Sequence, residues 1–271
     1  MEELIWLQRQ TESRLESIKN SQSVHVGDGQ VLTRLFTGQK VFLDAEDVVV
    51  APTLMLNGVW DSTASTVMQR HLSPGSTMID TDAGTGYFGL VAGTVVQGEV
   101  GGSVHLLEPD PDRATMIFRS ISATGLMGTA SVSNLAVGAV ATGAGTDIDL
   151  AADRPSSPTT TIDAYVQSKN LATVDLVKLN AGPGLVAAYA GMAETIQRNG
   201  HNLVLMVSLA ESADSANAGT AVPEEMFDDF AQVELIDGVR EQVVAVADPG
   251  DLAAMQAELG AVTMMAGNWS H

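Results

Sequence analysis

From Thr77 onward the chain alternates short, β-branched apolar runs with helical segments, and this rhythm restricts it to an α/β fold whose parallel sheet is covered on both faces. Strands are read at Thr77–Thr81, Ser103–Leu107, Ala130–Asn134, Val174–Leu179 and Asn202–Leu209, with two more near Val233–Ile236 and Val243–Ala247. Helices are expected over Tyr87–Val96, Asp112–Ala123, Thr161–Ser168, Leu185–Asn199, Pro223–Phe230 and Asp251–Leu259. Residues 139–161, rich in Ala, Gly, Thr, Ser and Pro, are partly loop.

The first 60 residues precede that rhythm and read as an appendage to a domain spanning 61–271. Leu4, Leu7, Leu15 and Ile18 fall near one stripe of a helix over the first 20 residues, which either caps the domain or pairs with a second copy in a homodimer. Gln30–Phe36 and Lys40–Leu43 form a hairpin about Thr37-Gly38-Gln39, which Val48-Val49-Val50 extend. Asp61 or Ser62 then caps a helix that runs to about His71. The formal charge of −20, from 33 acidic against 13 basic residues, leaves too few cations for a phosphate-binding face. The same charge is repelled by anionic lipid, and no apolar run approaches the roughly 20 residues a membrane span needs. With neither nucleic acid nor membrane as partner, a small molecule or glycan is expected. Absence of cysteine excludes disulfides and thiolate chemistry. The acidic start, Met1-Glu2-Glu3, is unlike an export signal, so a cytoplasmic location is expected.

Chemistry concentrates in Met78-Ile79-Asp80-Thr81-Asp82-Ala83-Gly84-Thr85-Gly86-Tyr87-Phe88. A strand ends, a glycine-containing turn follows and a helix begins, a geometry that lets backbone approach a ligand closely. Glu108 stands at the tip of the next strand, 28 residues beyond Asp80. An acid there can accept hydrogen bonds from both hydroxyls of a ribose. The turn alone is equally an ordinary strand-to-helix connection; turn and acid at successive tips are more specific. A dinucleotide fits less well, because Asp82 stands where a diphosphate needs a bare glycine.

At this point the chain resembles the FkbM family of class I methyltransferases. The resemblance covers Phe42 to about Gly138 and Thr161 to Leu209. It rests on Gly58-Val59-Trp60-Asp61, His71-Leu72-Ser73-Pro74-Gly75 leading into Met78-Ile79-Asp80, Gly86-Tyr87-Phe88 and Leu107-Glu108-Pro109-Asp110-Pro111. Asn134-Leu135-Ala136-Val137-Gly138, Thr161-Ile162-Asp163 and Val174-Asp175-Leu176-Val177-Lys178-Leu179 complete it. The resemblance implies a Rossmann-like, doubly wound sheet of seven mostly parallel strands. It also implies S-adenosylmethionine as cofactor and methylation of a hydroxyl on a sugar or natural-product intermediate. Asp80, Asp82, Gly84, Gly86 and Tyr87 would then lie at the methionine end of the cofactor, Glu108 at its ribose and Asn134 near its adenine. Lys178 and Asn180 would face the transferring methyl group as catalytic residues.

The chain departs from that family where Asp82 replaces a glycine and where Asn180 and Gly182 replace two carboxylates. Asn180 orients a hydroxyl but cannot take its proton as a base. Two readings follow: an active O-methyltransferase, or a catalytically impaired relative that serves as a binding or dimerisation partner. Outside the turn, the five histidines are dispersed without metal-ligand spacing, so no metal is expected. His105 reads as a satisfied strand residue, His71 as a cation suited to a helix C-terminus, and Met264-Met265 as core filler. Substrate selection is assigned to the loops at 52–63 and 210–222.

Overall fold

The computed structural model describes residues 23–141, 157–180, 184–209, 222–238, 240–259 and 262–269. The helix expected over the first 20 residues, with its dimer pairing, lies outside them, as do Gly182 and residues 210–221. Three antiparallel strands come first: β1 (Val24–Gly27), β2 (Gln30–Arg34) and β3 (Lys40–Asp44). The expected hairpin is β2–β3, in register from Gln30 opposite Asp44 to Arg34 opposite Lys40. Val48–Val50 do not extend it. The Asp47 carboxylate instead accepts from the N–H groups of Val49, Val50 and Ala51, which turns the chain into α1 (Ala51–Asn57). The helix α2 (Ser62–Arg70) follows, capped by Asp61 as read, with Ala64 N–H donating to Asp61 Oδ1 at 3.1 Å.

The alternating part begins with β4 (Thr77–Thr81), α3 (Tyr87–Val96), β5 (Ser103–Leu107), α4 (Pro111–Thr124) and β6 (Ala130–Ser133). A short parallel pair, β7 (Ala136–Val137) and β8 (Thr159–Thr160), precedes α5 (Ile162–Ser168). Next come β9 (Leu176–Asn180), α6 (Leu185–Ala190), α7 (Ala193–Asn199) and β10 (Val204–Leu209). The chain closes with α8 (Met226–Asp229), β11 (Gln232–Asp237), β12 (Gln242–Ala245), α9 (Pro249–Leu259) and β13 (Val262–Gly267). The main sheet runs β12-β11-β13-β10-β9-β4-β5-β6. Its centre is parallel, β13 is antiparallel to both β10 and β11, and β12 is antiparallel to β11. The fold is therefore Rossmann-like and mostly parallel as expected, with eight strands rather than seven.

Side-chain alternation puts a core on each face. Met78 of β4, Val104 and Leu106 of β5 and Leu176 of β9 join Leu90, Ile117 and Ile121 of α3 and α4 on one side. Ile79, Leu107, Val177 and Leu179 join Ile162, Tyr165 and Leu185 on the other. Each such buried Leu or Ile contributes about 1.5–3 kcal/mol. Val41 and Leu43 of the hairpin belong to the first core, and Phe42 N–H donates to Ser120 Oγ of α4 at 2.9 Å. The hairpin is thus clamped to α4, which brings the loop after β3 to the carboxyl end of the sheet.

Candidate functional site

From β4 the chain steps outward to β5 and β6, then returns to β9 on the other flank of β4. Loops leaving β4 and β9 diverge at this reversal, and such a crevice is where open α/β sheets bind ligands. In the turn after β4, Asp82, Gly84 and Gly86 all have positive φ, at 49°, 60° and 76°. Glycine adopts that region freely, and aspartate is one of few other residues that tolerate it. Asp82 keeps the backbone shape of a glycine while adding an exposed carboxylate. A Cβ on Gly86 would lie 3.0 Å from Ile117 Cγ1, so this side of the turn is packed against α4. At Gly84 a Cβ would meet nothing within 4 Å, so the turn's open face is there.

Glu108 leans from the tip of β5 onto that turn. Its Oε2 accepts the Gly84 N–H at 2.7 Å; its Oε1 accepts the Asp110 N–H at 2.9 Å and Arg113 Nε at 3.0 Å. The side chain is fully buried. Burial pushes its carboxyl above the usual range, opposed by the Asp110 N–H, the Arg113 guanidinium and the Gly84 N–H, while the Asp82 charge adds to the rise. Oε2 carries one partner in this arrangement, and a carboxylate oxygen has capacity for a second. Asn134 braces the same corner, its Nδ2 donating to the carbonyls of Glu108 at 2.9 Å and Pro109 at 3.0 Å. The Ser157 hydroxyl donates to Asn134 Oδ1 and to the Pro109 carbonyl.

On the β9 side, Lys178 Nζ donates to Asn180 Oδ1 at 2.7 Å and lies 3.2 Å from Asp80 Oδ1 and 5.2 Å above the Phe88 ring. Lys178 and Asp80 are both buried, and neither Asp80 oxygen makes a hydrogen bond of good geometry. Burial raises the Asp80 carboxyl above its ordinary value, and the Lys178 ammonium opposes it. Asn180 Nδ2 donates across the crevice to the Asp82 carbonyl at 2.8 Å. The crevice floor is therefore a chain of contacts, Asp80 to Lys178 to Asn180 to Asp82, with Lys178 reaching the opening through the Asn180 amide.

Tyr87 is not brought to this crevice. It is 1% exposed, 2.9 Å from Ser65 Oγ through its hydroxyl and edge-on to Phe88, so it ties α3 to α2 instead. His71 also differs from expectation: its ring packs on Trp269 at 4.6 Å, and burial, then the Arg70 charge, lower its pKa, which favours the neutral form. His105 is a satisfied strand residue, as read. Among the described residues no three His, Cys, Asp or Glu side chains are grouped to hold a metal ion, and no helix is long and apolar enough to cross a membrane.

Two participants, Arg113 and the loop after β3, belong to none of the motifs quoted above. Asp110 caps α4 by accepting from the N–H groups of Asp112 and Arg113, which delivers the Arg113 guanidinium to Glu108. The cap-then-proline pair Asp110-Pro111 is the signal that fixes Arg113 in the first turn, below the strand tip. The second is the loop after β3. A cavity of about 380 Å³ opens beside Gly84 and Thr85, walled by that loop, Arg113 and Met116. A larger one, about 510 Å³, lies against α6 and α7 and shares no residue with it.

No family model matches the chain, and no curated protein matches it. Several solved structures do resemble it. A proposed rRNA-methylase from Clostridium thermocellum shares 11% identity over 77% of this chain and 94% of that one, with a TM-score of 0.47. A SAM-dependent O-methyltransferase from Thermotoga maritima shares 14% over 92% and 86%, at 0.43. A tRNA (uracil-54, C5)-methyltransferase from Pyrococcus abyssi, in complex with S-adenosyl-L-homocysteine, shares 12% over 89% and 44%, at 0.43. By name all three are methyltransferases, and two of the names specify RNA. At such low identities and scores they carry no function to this chain. The site must speak through its own geometry.

Proposed function

We propose that this chain is an S-adenosylmethionine-dependent O-methyltransferase of the FkbM type, acting on a hydroxyl of a sugar or natural-product intermediate. One observation carries the reading: the 2.7 Å bond from Gly84 N–H to Glu108 Oε2, which joins the glycine turn after β4 to the acid at the tip of β5. The residues fit an adenosyl group in kind. Gly84 leaves its face open, and Glu108 Oε2, which carries one partner, keeps a second acceptor position for a ribose hydroxyl. Bound there, the cofactor supplies an electrophilic methyl group. Glu108 holds the sugar, Asn134 keeps the Glu108–Pro109 corner in place, and Lys178, anchored on Asp80, fixes the Asn180 amide at the mouth. Asn180 orients the acceptor hydroxyl, whose proton departs to solvent because an amide cannot take it. Proximity and alignment then provide most of the rate.

A second reading is favoured by the burial of Glu108. Both of its oxygens are engaged within the protein, as suits a relative that has lost its cofactor and serves as a binding partner. Calorimetric titration separates the two. Adenosylmethionine and adenosylhomocysteine should bind and NAD should not. Glu108→Gln should weaken binding by about 10- to 100-fold, the worth of a charged hydrogen bond, and should also lower the melting temperature, because its amide nitrogen would face a donor that the carboxylate now satisfies. Silence toward all three ligands leaves the partner reading. Methyl transfer to RNA but to no small alcohol would replace the acceptor class.

A further inference from the structure

Among the described residues no strand lies beyond β12, which ends the main sheet with one side unpaired. Its pairing with β11 fixes which backbone groups face that side. The Val246 N–H donates to the Val233 carbonyl at 2.8 Å, and the register continues with Ala245 opposite Glu234, Val244 opposite Leu235 and Gln242 opposite Asp237. Hydrogen-bonded and non-bonded pairs alternate along an antiparallel ladder, so Val244 and Gln242 bond inward to β11. The N–H and carbonyl groups of Val243 and Ala245 point outward, away from the sheet.

Proteins blunt such edges with lysine, proline, a bulge or an inward charge. The edge strand β1 has one of these devices, a register shift between His25 and Gly27. On β12 the register is unbroken, and Gln242-Val243-Val244-Ala245-Val246-Ala247 contains neither a charge nor a proline. Val243 is 42% exposed. In a chain of net charge −20, this edge is kept clear of carboxylates over its whole length.

We infer that β12 pairs antiparallel with β12 of a second copy, joining the two main sheets across a two-fold axis at Val244. The strand's own sequence selects this partner and this register. With Val244 opposite its twin, Val243 and Ala245 meet as hydrogen-bonded pairs, the phase that their outward groups require. Farther along, Gln242 lies opposite Val246, Glu241 opposite Ala247 and Arg240 opposite Asp248. No like charges face each other, and each end gains an opposite pair. Arg240 has room for it, since its side chain is 53% exposed beside Asp237 and Glu258. Moving the axis to Val243 or Ala245 keeps the hydrogen-bond phase but sets Arg240 opposite Val246 or Gly250, and both charge pairs are lost. A foreign strand would have to reproduce this pattern; a second copy supplies it by symmetry. The pairing is independent of the methyltransferase reading, because β12 lies at the end of the sheet remote from β4 and β5.

Sedimentation velocity of the full chain reads the association, in about 1 M NaCl to screen repulsion between two acidic molecules. A strand this short buries less than the roughly 1,000 Å² of a stable interface, so half-dimerisation is expected at about 100 μM. Ala245→Pro removes an outward N–H and no bond to β11, so it should weaken association about tenfold or more while the melting temperature holds. Val243→Glu, which adds a carboxylate on an exposed face, should weaken it likewise. The chain has no cysteine, so one introduced thiol reports the register. Cα atoms of a non-hydrogen-bonded antiparallel pair stand about 4.5 Å apart, within disulfide reach, so Val244→Cys should oxidise to a covalent dimer. Val243→Cys would stand about 7–8 Å from its twin and should cross-link far less. A chain that stays monomeric to about 1 mM overturns the proposal. So does a dimer that both edge variants leave intact, which assigns assembly to another face, or a thiol at 243 that cross-links as fast as one at 244.

Discussion

His105 sits on β5 with Nδ1 3.2 Å from the Tyr165 hydroxyl and Nε2 3.2 Å from Ser103 Oγ, its ring edge-on to Tyr165. Burial, then the Lys169 charge, lower its pKa to about 4. The unfolded imidazole titrates near 6.5, so between these values the unfolded chain binds the extra proton and stability rises with pH. The contribution is complete above pH 6.5 and is lost as pH drops toward 4, amounting to roughly 3 kcal/mol. Asp80 and Glu108 act with the opposite sign, because their carboxyls are raised by burial and the fold binds their protons first. Subtraction isolates the histidine: His105→Asn should flatten the wild-type slope of unfolding free energy across this window. An imidazole signal that titrates near 6.5 in the folded protein would falsify the argument. The sequence set His105 in a strand and His71 at a helix end but showed neither ring's partner. Contact with Tyr165 in one case and Trp269 in the other decides their surroundings.

At the scale of elements, the stretch read as one helix, Leu185–Asn199, is two, broken at Gly191-Met192 between α6 and α7. The Gly191 carbonyl leaves the helical ladder to accept the Asp163 N–H at 2.9 Å. A Cβ there would lie 2.5 Å from the Gly138 carbonyl oxygen, so the backbone passes too close for a side chain. The Asp163 carboxylate then starts α7 by accepting from Glu194 N–H, Thr195 N–H and the Thr195 hydroxyl. Asp163→Ala should lower stability by about 1–2 kcal/mol, read as a reduced urea midpoint at unchanged slope, and Asp163→Asn should recover part of it. A midpoint unmoved by the alanine would leave α7 without its cap. The break was illegible in sequence because its partners come from α5 and the β7 region, far along the chain. The β4 and β5 strands were legible because Met78/Ile79 and Leu106/Leu107 feed opposite cores. Missing from the sequence reading was β13, whose Met264-Met265 pair lacks the β-branched signature. Its burial comes from antiparallel insertion between β10 and β11. For the site the division is similar. The glycine turn and Glu108 stand out locally, whereas Arg113 and the loop after β3 join them through folding alone.

Over the whole molecule, 20 net negative charges must share one surface. The described ion pairs are few, and the buried one, Lys178 with Asp80, is shielded from solvent ions. Surface repulsion therefore dominates the salt response. At about 1 M NaCl the screening length falls to about 3 Å, which removes repulsion between exposed carboxylates while sparing the buried pair. Thermal unfolding should shift upward by a few degrees between low salt and this limit, since each kcal/mol moves a domain of this size by roughly 2–4 °C. A flat or falling melting temperature would mean that attractive pairs govern the surface instead.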